Sequence, residues 1–382
     1  MKIGIDISLT VGEKAGVGYY TVNLVDALAK IDRTNQYLLY PFFYHIYHPD
    51  FKTALAPSQK NFNLRFKKIP QKIIDLFWNS PIPKKWILGN VDILHSTTFC
   101  APLDHYGKLI VTIYDISFLT LPGCHIEANR QHCLKGTLDA VRYADCLITI
   151  SNHGKQELVK YFNADPDKIV VTHLAAKEIF APCGIEDQNR VLEKYGIHHD
   201  FILTVGSNEP RKNIGSLVRA YVDLPENIKN KYSLVIAGGQ GWLNSDIDEF
   251  LNLQDSTRIK RIGYVDEHDL PALYSAATVF VYPSLYEGFG LPILEAMSCG
   301  APVITSNTSS MPEISGDAAL FFDPTDVQQL TNLLNDVLGN ENFREELSRK
   351  GIKRAGEFSW EKTARETLKI YEILASKQVK FF

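Results

Sequence analysis

Strand-like and helix-like runs alternate along this chain twice over, and no other feature narrows its fold as much. In the first half, short apolar runs predict strands at Lys2–Ile7, Gln36–Tyr40, Ile93–His95, Lys108–Tyr114, Cys146–Ile150 and Val170–Thr172. The second half restarts with Phe201–Val205, Ser233–Ala237, Ile259–Ile262, Val279–Tyr282, Pro302–Thr305 and Ala319–Phe322. Helical stretches lie between most of these, and helices from about Val327 to Glu357 and Trp360 to Ser376 close the chain. Such alternation builds parallel sheets covered by helices. A chain of 382 residues is too long for one core and suits two domains of roughly 180 residues. The stretch from Ile179 to Asp200 lacks a clear strand, so the expected domains are 1–178, joined by the last helix (about 361–382), and 179–360. Two doubly wound α/β domains bind ligands outside the carboxyl ends of their strands, and here a cleft between the two sheets is expected.

Composition limits the function classes. The net charge of −4 does not favour nucleic acid as a partner. No apolar run approaches the roughly 20 residues of a membrane span. Met1–Ile7 reads directly as a first strand, so no signal peptide is expected and the predicted location is cytoplasmic, with peripheral contact at the inner membrane face. The six cysteines are scattered without Cys-x-x-Cys spacing and read as reduced thiols. Cys124-His125 and His132-Cys133 lack ordinary zinc spacing, and no metal site is expected.

The chemistry concentrates in Glu287-Gly288-Phe289-Gly290-Leu291-Pro292-Ile293-Leu294-Glu295. After the strand Val279–Tyr282 the glycines loosen a turn, and Gly288 and Gly290 can take positive φ. Pro292 fits the first position of a helix, and Gly300 its C-terminal cap. A phosphate at that N-terminus would meet unpaired N–H groups and the positive end of the helix dipole. Glu295, about one turn in, can accept both hydroxyls of a ribose, and Glu287 can reach those of a second sugar. Each residue alone also fits a plain turn or a dipole-complementing acid.

Three further segments belong with it. Phe201–Val205 leads into Gly206-Ser207-Asn208-Glu209-Pro210-Arg211-Lys212-Asn213, where two adjacent cations can neutralise a diphosphate and Asn213 can cap the next helix. Gly12-Glu13-Lys14-Ala15-Gly16-Val17-Gly18 is glycine-rich, but its spacing is not that of a dinucleotide fold. Tyr114-Asp115-Ile116-Ser117 ends a strand, with Asp115 placed either to bind an acceptor hydroxyl or to cap the turn. Asp246-Ile247-Asp248 imitates a metal-binding Asp-x-Asp triplet within a polar stretch and reads as a solvated face. From Asn61 to Trp86, six cations (Arg65, Lys67, Lys68, Lys72, Lys84, Lys85) stand against Asp75 alone, interleaved with aromatic and aliphatic residues. Such a segment suits either an anionic membrane interface or a sheet-packed helix with a wet basic face.

Glu287, Phe289, Gly290, Leu291 and Glu295 resemble, position by position, the nucleotide-sugar site of the retaining glycosyltransferases of family 4 (glycosyl transferases group 1), which have the two-domain GT-B fold. The resemblance covers essentially the whole chain. It implies that Glu287 contacts the transferred sugar, that Glu295 holds the ribose, and that the Gly288–Leu291 backbone serves donor sugar and phosphate. It implies a diphosphate clamp of Arg211 and Lys212, with Ser207 where many relatives carry another Arg. Gly16 and Gly18 match a loop that closes over the donor phosphates, and the backbone of Ile262-Gly263-Tyr264-Val265-Asp266 the segment that recognises the base. Gly238-Gly239-Gln240-Gly241 borders the same cleft or is a plain turn. Phe358-Ser359-Trp360-Glu361 resembles the start of the helix that returns to the N-terminal domain. Tyr114 stands where many relatives have His.

The implied reaction moves a hexose from a nucleoside diphosphate sugar to a glycan or lipid-linked glycan in polysaccharide synthesis. Anomeric configuration is retained, and neither metal nor cofactor takes part. UDP-hexose such as UDP-glucose is the first expectation and GDP-mannose the next. Competing readings are an epimerase or phosphorylase of the same fold, or a non-catalytic nucleotide-sugar binder, the last motivated by Tyr114.

Overall fold

The computed structural model describes residues 1–10, 16–41, 55, 57, 59–65, 82–239 and 258–376. Residues 12–15 of the glycine-rich stretch, 66–81 of the basic segment, Gln240-Gly241 and the Asp246-Ile247-Asp248 triplet lie outside them. The chain forms two compact units, Met1–Leu174 with Trp360–Phe382, and Ala175–Ser359, dividing just ahead of the expected 178/179 boundary.

The first unit holds strands β1 (Lys2–Asp6), β2 (Gln36–Tyr40), β3 (Phe62–Leu64), β4 (Ile93–Ser96), β5 (Lys108–Ile113), β6 (Cys146–Thr149) and β7 (Ile169–Val171). They pair in parallel in the order β3-β2-β1-β4-β5-β6-β7. The second unit holds β8 (Asp200–Val205), β9 (Tyr232–Ala237), β10 (Ile259–Gly263), β11 (Val279–Tyr282), β12 (Val303–Ser306) and β13 (Ala319–Phe322). Their order is β10-β9-β8-β11-β12-β13, again parallel. Each sheet therefore winds both ways from its first strand. The order reverses between β1 and β4 in one sheet and between β8 and β11 in the other, which opens a crevice at the carboxyl ends of those strands.

Burial explains why these segments became strands. In the second unit Ile202, Leu234, Val279, Val281 and Ile304 pack against Leu217, Val218 and Tyr221 of helix Ile214–Val222 and Leu330, Leu334 and Val337 of helix Val327–Gly339. The helix partners recur every three or four residues, the spacing of one helical face. The long helical stretch expected over 327–357 is two helices. Asn340 ends the first and caps Glu341–Ala355 by accepting the Phe343 N–H at 3.1 Å.

One strand was not expected. β3 falls at the start of the basic, aromatic segment, and Phe62 is buried with its ring stacked 4.1 Å from Tyr37. Phe62 is thus a sheet residue, while Trp86 on helix Lys84–Leu88 is 67% exposed.

The last helix, Trp360–Ala375, belongs to the first unit and packs on helix Gly16–Ile31. Its Tyr371 hydroxyl meets His95 Nδ1 at 2.7 Å, and His95 Nε2 meets Thr112 Oγ1 at 2.8 Å. Both rings are wholly buried, and burial pushes the His95 imidazole down to about 3, so it is neutral at physiological pH. Among the described residues no helix is long and apolar enough to cross a membrane.

Candidate active site

The crevice at the β8/β11 reversal gathers the charged residues singled out above. β8 ends in the Gly206–Glu209 turn and a short 3-10 turn, Pro210–Lys212. β11 ends in the Ser284–Gly290 loop and helix Leu291–Ser298. A backbone hydrogen bond from Leu285 N–H to Arg211 C=O, 2.8 Å, fastens the two loops together.

Glu287 is the centre of the cluster. One carboxylate oxygen lies 2.8 Å from Lys212 Nζ and the other 2.8 Å from an Arg211 guanidinium nitrogen. Lys212 also donates to the Tyr282 hydroxyl at 2.8 Å, and Arg211 to the Tyr286 carbonyl at 2.8 Å. Burial alone would raise the Glu287 carboxyl, but Lys212 and Arg211 outweigh it and bring it down to about 2. A pair this buried gains little over apolar residues of similar shape, yet either cation left without its carboxylate would be costly. That arrangement fixes two cations side by side at a crevice.

Glu209 was not singled out from the sequence. Its carboxylate takes the Ser207 hydroxyl and stands 3.6 Å from Arg211. Ser207 therefore contributes through Glu209 and adds no charge of its own. Asn213 occupies the N-cap of helix Ile214–Val222 as expected, in the left-handed region with φ 53°, but its side chain makes no capping bond. Its amide donates to the Pro283 and Pro324 carbonyls at 3.1 and 2.9 Å, which fixes the clamp turn from beneath.

The loop carrying Glu287 is held by hydroxyls that the sequence did not reveal. The Glu287 N–H donates to Ser309 Oγ at 2.9 Å, and Ser310 Oγ donates to the Glu287 and Phe289 carbonyls at 2.9 Å each. Thr308 Oγ1 donates to the Leu285 carbonyl at 3.0 Å. Of the two glycines, Gly290 is the one with positive φ, at 98°, and an added Cβ there would come 3.1 Å from Ile293 Cδ1. The helix begins at Leu291, so Pro292 occupies its second position, and Gly300 follows its end at φ 84°. Gly288 and Phe289 are buried, which leaves backbone as what this loop offers a ligand.

Glu295 is half-buried one turn into that helix and accepts the Tyr274 hydroxyl at 3.1 Å. Burial pushes its carboxyl up to about 7 against that hydrogen bond, with Glu267 raising it further and Lys177 drawing it down. Ile262 sits at a register shift of β10 on β9, between Arg261 and Gly263.

The first unit places its site residues at the carboxyl ends of β1, β4 and β5. Helix Gly16–Ile31 begins within the glycine-rich stretch, so Gly16 and Gly18 form its first turn instead of a loop. Their N–H groups belong to the set that a helix leaves unbonded at its N-terminus. Tyr114, expected at the chemistry, is buried, and its hydroxyl donates to the Thr97 carbonyl at 2.6 Å. Thr97 Oγ1 donates to the Asp6 carbonyl at 2.7 Å, and Thr98 Oγ1 to the Asp6 carboxylate at 3.0 Å. Asp115 caps the turn, accepting the Ser117 N–H at 2.8 Å and hydroxyl at 2.6 Å, and His125 Nε2 lies 3.0 Å from that hydroxyl. Of the two roles open to Asp115, the structure shows the cap.

Two parallel α/β sheets, each with a switch-point crevice, and a cation–carboxylate cluster beside a helix N-terminus are the arrangement that the resemblance to GT-B glycosyltransferases implies. The family described as "Glycosyl transferases group 1" matches residues 187–354. The O-antigen chain mannosyltransferase B of Escherichia coli is 34% identical over 369 residues, covering 94% of this chain and 96% of that protein. The serotype-specific mannosyltransferase WbdA of Escherichia coli is 35% identical over 245 residues, 62% of this chain but only 30% of that longer protein. Among solved structures, Anabaena HepE in complex with UDP and glucose superposes with a TM-score of 0.76 at 17% identity, over 98% of this chain and all of that one. The chain belongs to the group 1 glycosyltransferases.

Proposed function

We propose that the chain transfers mannose from GDP-mannose, with retention of anomeric configuration, to a hydroxyl of a growing polysaccharide, sugar- or lipid-linked. The O-antigen mannosyltransferase alignment along nearly the whole chain supports mannose. The UDP-bound likeness at 17% identity speaks for the fold alone, so the first expectation of UDP-glucose gives way to GDP-mannose.

The observation that carries the reading is the Arg211–Glu287–Lys212 cluster beside the N-terminus of helix Leu291–Ser298, with Glu295 one turn inside. In this reading Glu295 accepts the ribose hydroxyls, and Arg211, Lys212 and the helix N-terminus hold the diphosphate. Glu287 and the Gly288–Leu291 backbone orient the sugar. As the bond from the anomeric carbon to the phosphate oxygen breaks, the two cations and the helix dipole neutralise the charge that develops. The acceptor hydroxyl attacks from the face that the diphosphate leaves, and its proton passes to the leaving phosphate oxygen. No side-chain base is required on this route, which accommodates a Tyr114 hydroxyl committed to Thr97. Arg211 and Lys212 take the place a divalent ion would fill, so activity is expected to survive a chelator.

Calorimetric titration of the full chain with GDP-mannose and UDP-glucose, without added metal, tests the donor. Binding that falls at least about tenfold in both Glu295→Ala and Lys212→Ala is expected, each substitution removing one charge-assisted contact. NMR of the product should show the α-configuration of GDP-mannose kept. Release of an isomerised sugar without acceptor would favour the epimerase reading, and binding with no turnover on any glycan acceptor the binder reading.

We place the protein at the cytoplasmic membrane face. Ile82, Trp86, Leu103 and Tyr106 are exposed, Lys84 and Lys85 lie among them, and Lys85 reaches Asp104 at 3.5 Å. Aromatic residues ringed by cations suit an anionic bilayer. Flotation with phosphatidylglycerol liposomes, reduced in Trp86→Ala, is the expected result, and equal recovery with neutral liposomes counts against it.

A further inference from the structure

The clamp carries one charge that the proposed chemistry does not use. Glu209 lies in the turn that joins β8 to Pro210–Lys212, with its side chain mostly buried. Ser207 donates its hydroxyl to one carboxylate oxygen, and the other oxygen faces the Arg211 guanidinium at 3.6 Å. The backbone holds the residue at both ends. Its N–H donates to the Ser207 carbonyl at 2.8 Å, and its carbonyl accepts the Lys212 N–H at 2.9 Å. The turn that carries both cations therefore also fixes an acid beside them.

Arg211 and Lys212 bring two positive charges, and Glu287 and Glu209 two negative ones, so these four side chains are together neutral before any ligand arrives. Each is at most 17% exposed, so water and salt screen them little. The two acids do not hold Arg211 alike. One terminal nitrogen lies 2.8 Å from Glu287 and donates to the Tyr286 carbonyl at 2.8 Å, while the other stands 3.6 Å from Glu209. At that distance the contact is an ion pair without a hydrogen bond. Taking Arg211 and Lys212 from Glu287 would strand a buried carboxylate. Glu209 can yield its loose share of Arg211 to a phosphate oxygen and still keep the Ser207 hydroxyl.

We infer that Glu209 competes with the donor's diphosphate for Arg211 and weakens nucleotide binding, which lets the spent nucleoside diphosphate leave. Binding energy speeds a reaction only where it is greater in the transition state than in the bound states around it, and product release limits many enzymes. Two cations and a helix N-terminus that neutralise a departing diphosphate would also retain it, and a fixed carboxylate at their edge opposes that. Ser207 keeps the acid from turning away into solvent. The inference rests on the nucleotide-sugar reading above and deepens it by naming the residue that sets how tightly the clamp holds.

Titrations of GDP and UDP into the full chain and its variants test this, because the effect acts on the diphosphate and not on the base. Glu209→Gln keeps the shape and an acceptor for Ser207 but removes the charge, and whichever nucleotide binds should bind about three- to thirtyfold tighter. Glu209→Asp, which keeps the charge, should lack that gain. Ser207→Ala, which releases the acid toward solvent, should give a smaller gain in the same direction. Dissociation of a fluorescent GDP analogue, followed by stopped flow, should slow in Glu209→Gln by about the factor gained in affinity. A damaged fold cannot produce tighter binding, so the sign separates the two roles open to Glu209. If Glu209 only props Arg211 in place, Glu209→Gln weakens the nucleotide, and that result, or an unchanged affinity, overturns the inference. Loss of binding in Lys212→Ala would then leave the donor site standing and remove only the competitor. Failure of the unaltered chain to bind either nucleotide takes down both.

Discussion

Glu287 and Glu295 lie in one short segment, yet their environments drive their carboxyls apart, to about 2 and about 7. Glu287 loses water but gains two cations, whereas Glu295 loses water and gains only a tyrosine hydroxyl and a neighbouring acid. Their contributions to stability have opposite signs. For Glu287 the unfolded chain binds more protons between about 2 and the ordinary 4.5, so its contribution to stability is full above that window and is lost as pH falls through it. For Glu295 the folded chain holds more protons between 4.5 and about 7, so stability falls as pH rises there. A ribose diol donates to a carboxylate and not to a carboxylic acid's proton. Nucleotide affinity is therefore predicted to rise as pH climbs from about 6 to 8, and Glu295→Gln should flatten that dependence at weakened affinity. Calorimetry at several pH values checks this, and an unchanged slope in the variant would remove Glu295 from the ribose. The same carboxylates were legible in the sequence, because paired acids around a glycine turn and a helix start have few other uses. The Tyr114 hydroxyl was not legible, since its partner is a main-chain carbonyl that no residue pattern marks.

At the scale of elements, every expected strand is present, and the ends differ by a residue or so, as for β7 at Ile169–Val171 against the expected Val170–Thr172. Strands buried on both faces leave continuous apolar runs. β3 escaped notice because three residues at a sheet edge, with only Phe62 buried, leave no run to see. The loop supports at Thr308, Ser309 and Ser310 escaped for another reason. They act on backbone about 20 residues upstream, a relation created by β11 and β12 lying side by side. The turn they support depends on one backbone angle. At φ 98° an L-residue is strained, and a Cβ at position 290 also crowds Ile293. Gly290→Ala is predicted to cost about 1–3 kcal/mol, read as a lower urea midpoint. It should weaken nucleotide binding more than the fall in stability alone explains, because the helix N-terminus moves with the turn. Wild-type stability in this variant would show that the turn has another conformation available.

At the scale of the whole molecule, the first unit is not continuous in sequence. Its sheet and helix Gly16–Ile31 are completed by a helix more than three hundred residues along. The connection is specific as well as apolar. Tyr371 satisfies a buried, neutral His95 that also reaches Thr112 on the next strand, and Thr363 Oγ1 donates to the His173 carbonyl at 2.6 Å. Tyr371→Phe removes one partner and leaves the imidazole in place, which should cost about 1–3 kcal/mol for a buried polar group without its bond. Removing residues 360–382 altogether takes away the helix that packs on helix Gly16–Ile31. The second unit has its own sheet and core, none of it drawn from that helix. Hydrogen exchange of the shortened chain is therefore predicted to show fast amides throughout β1–β7 and protected ones in β8–β13. Nucleoside diphosphate binding should survive in part, because the clamp and Glu295 both belong to the second unit. Uniform protection would mean that the closing helix is dispensable to the first core. Uniform loss would mean that the two units fold only together.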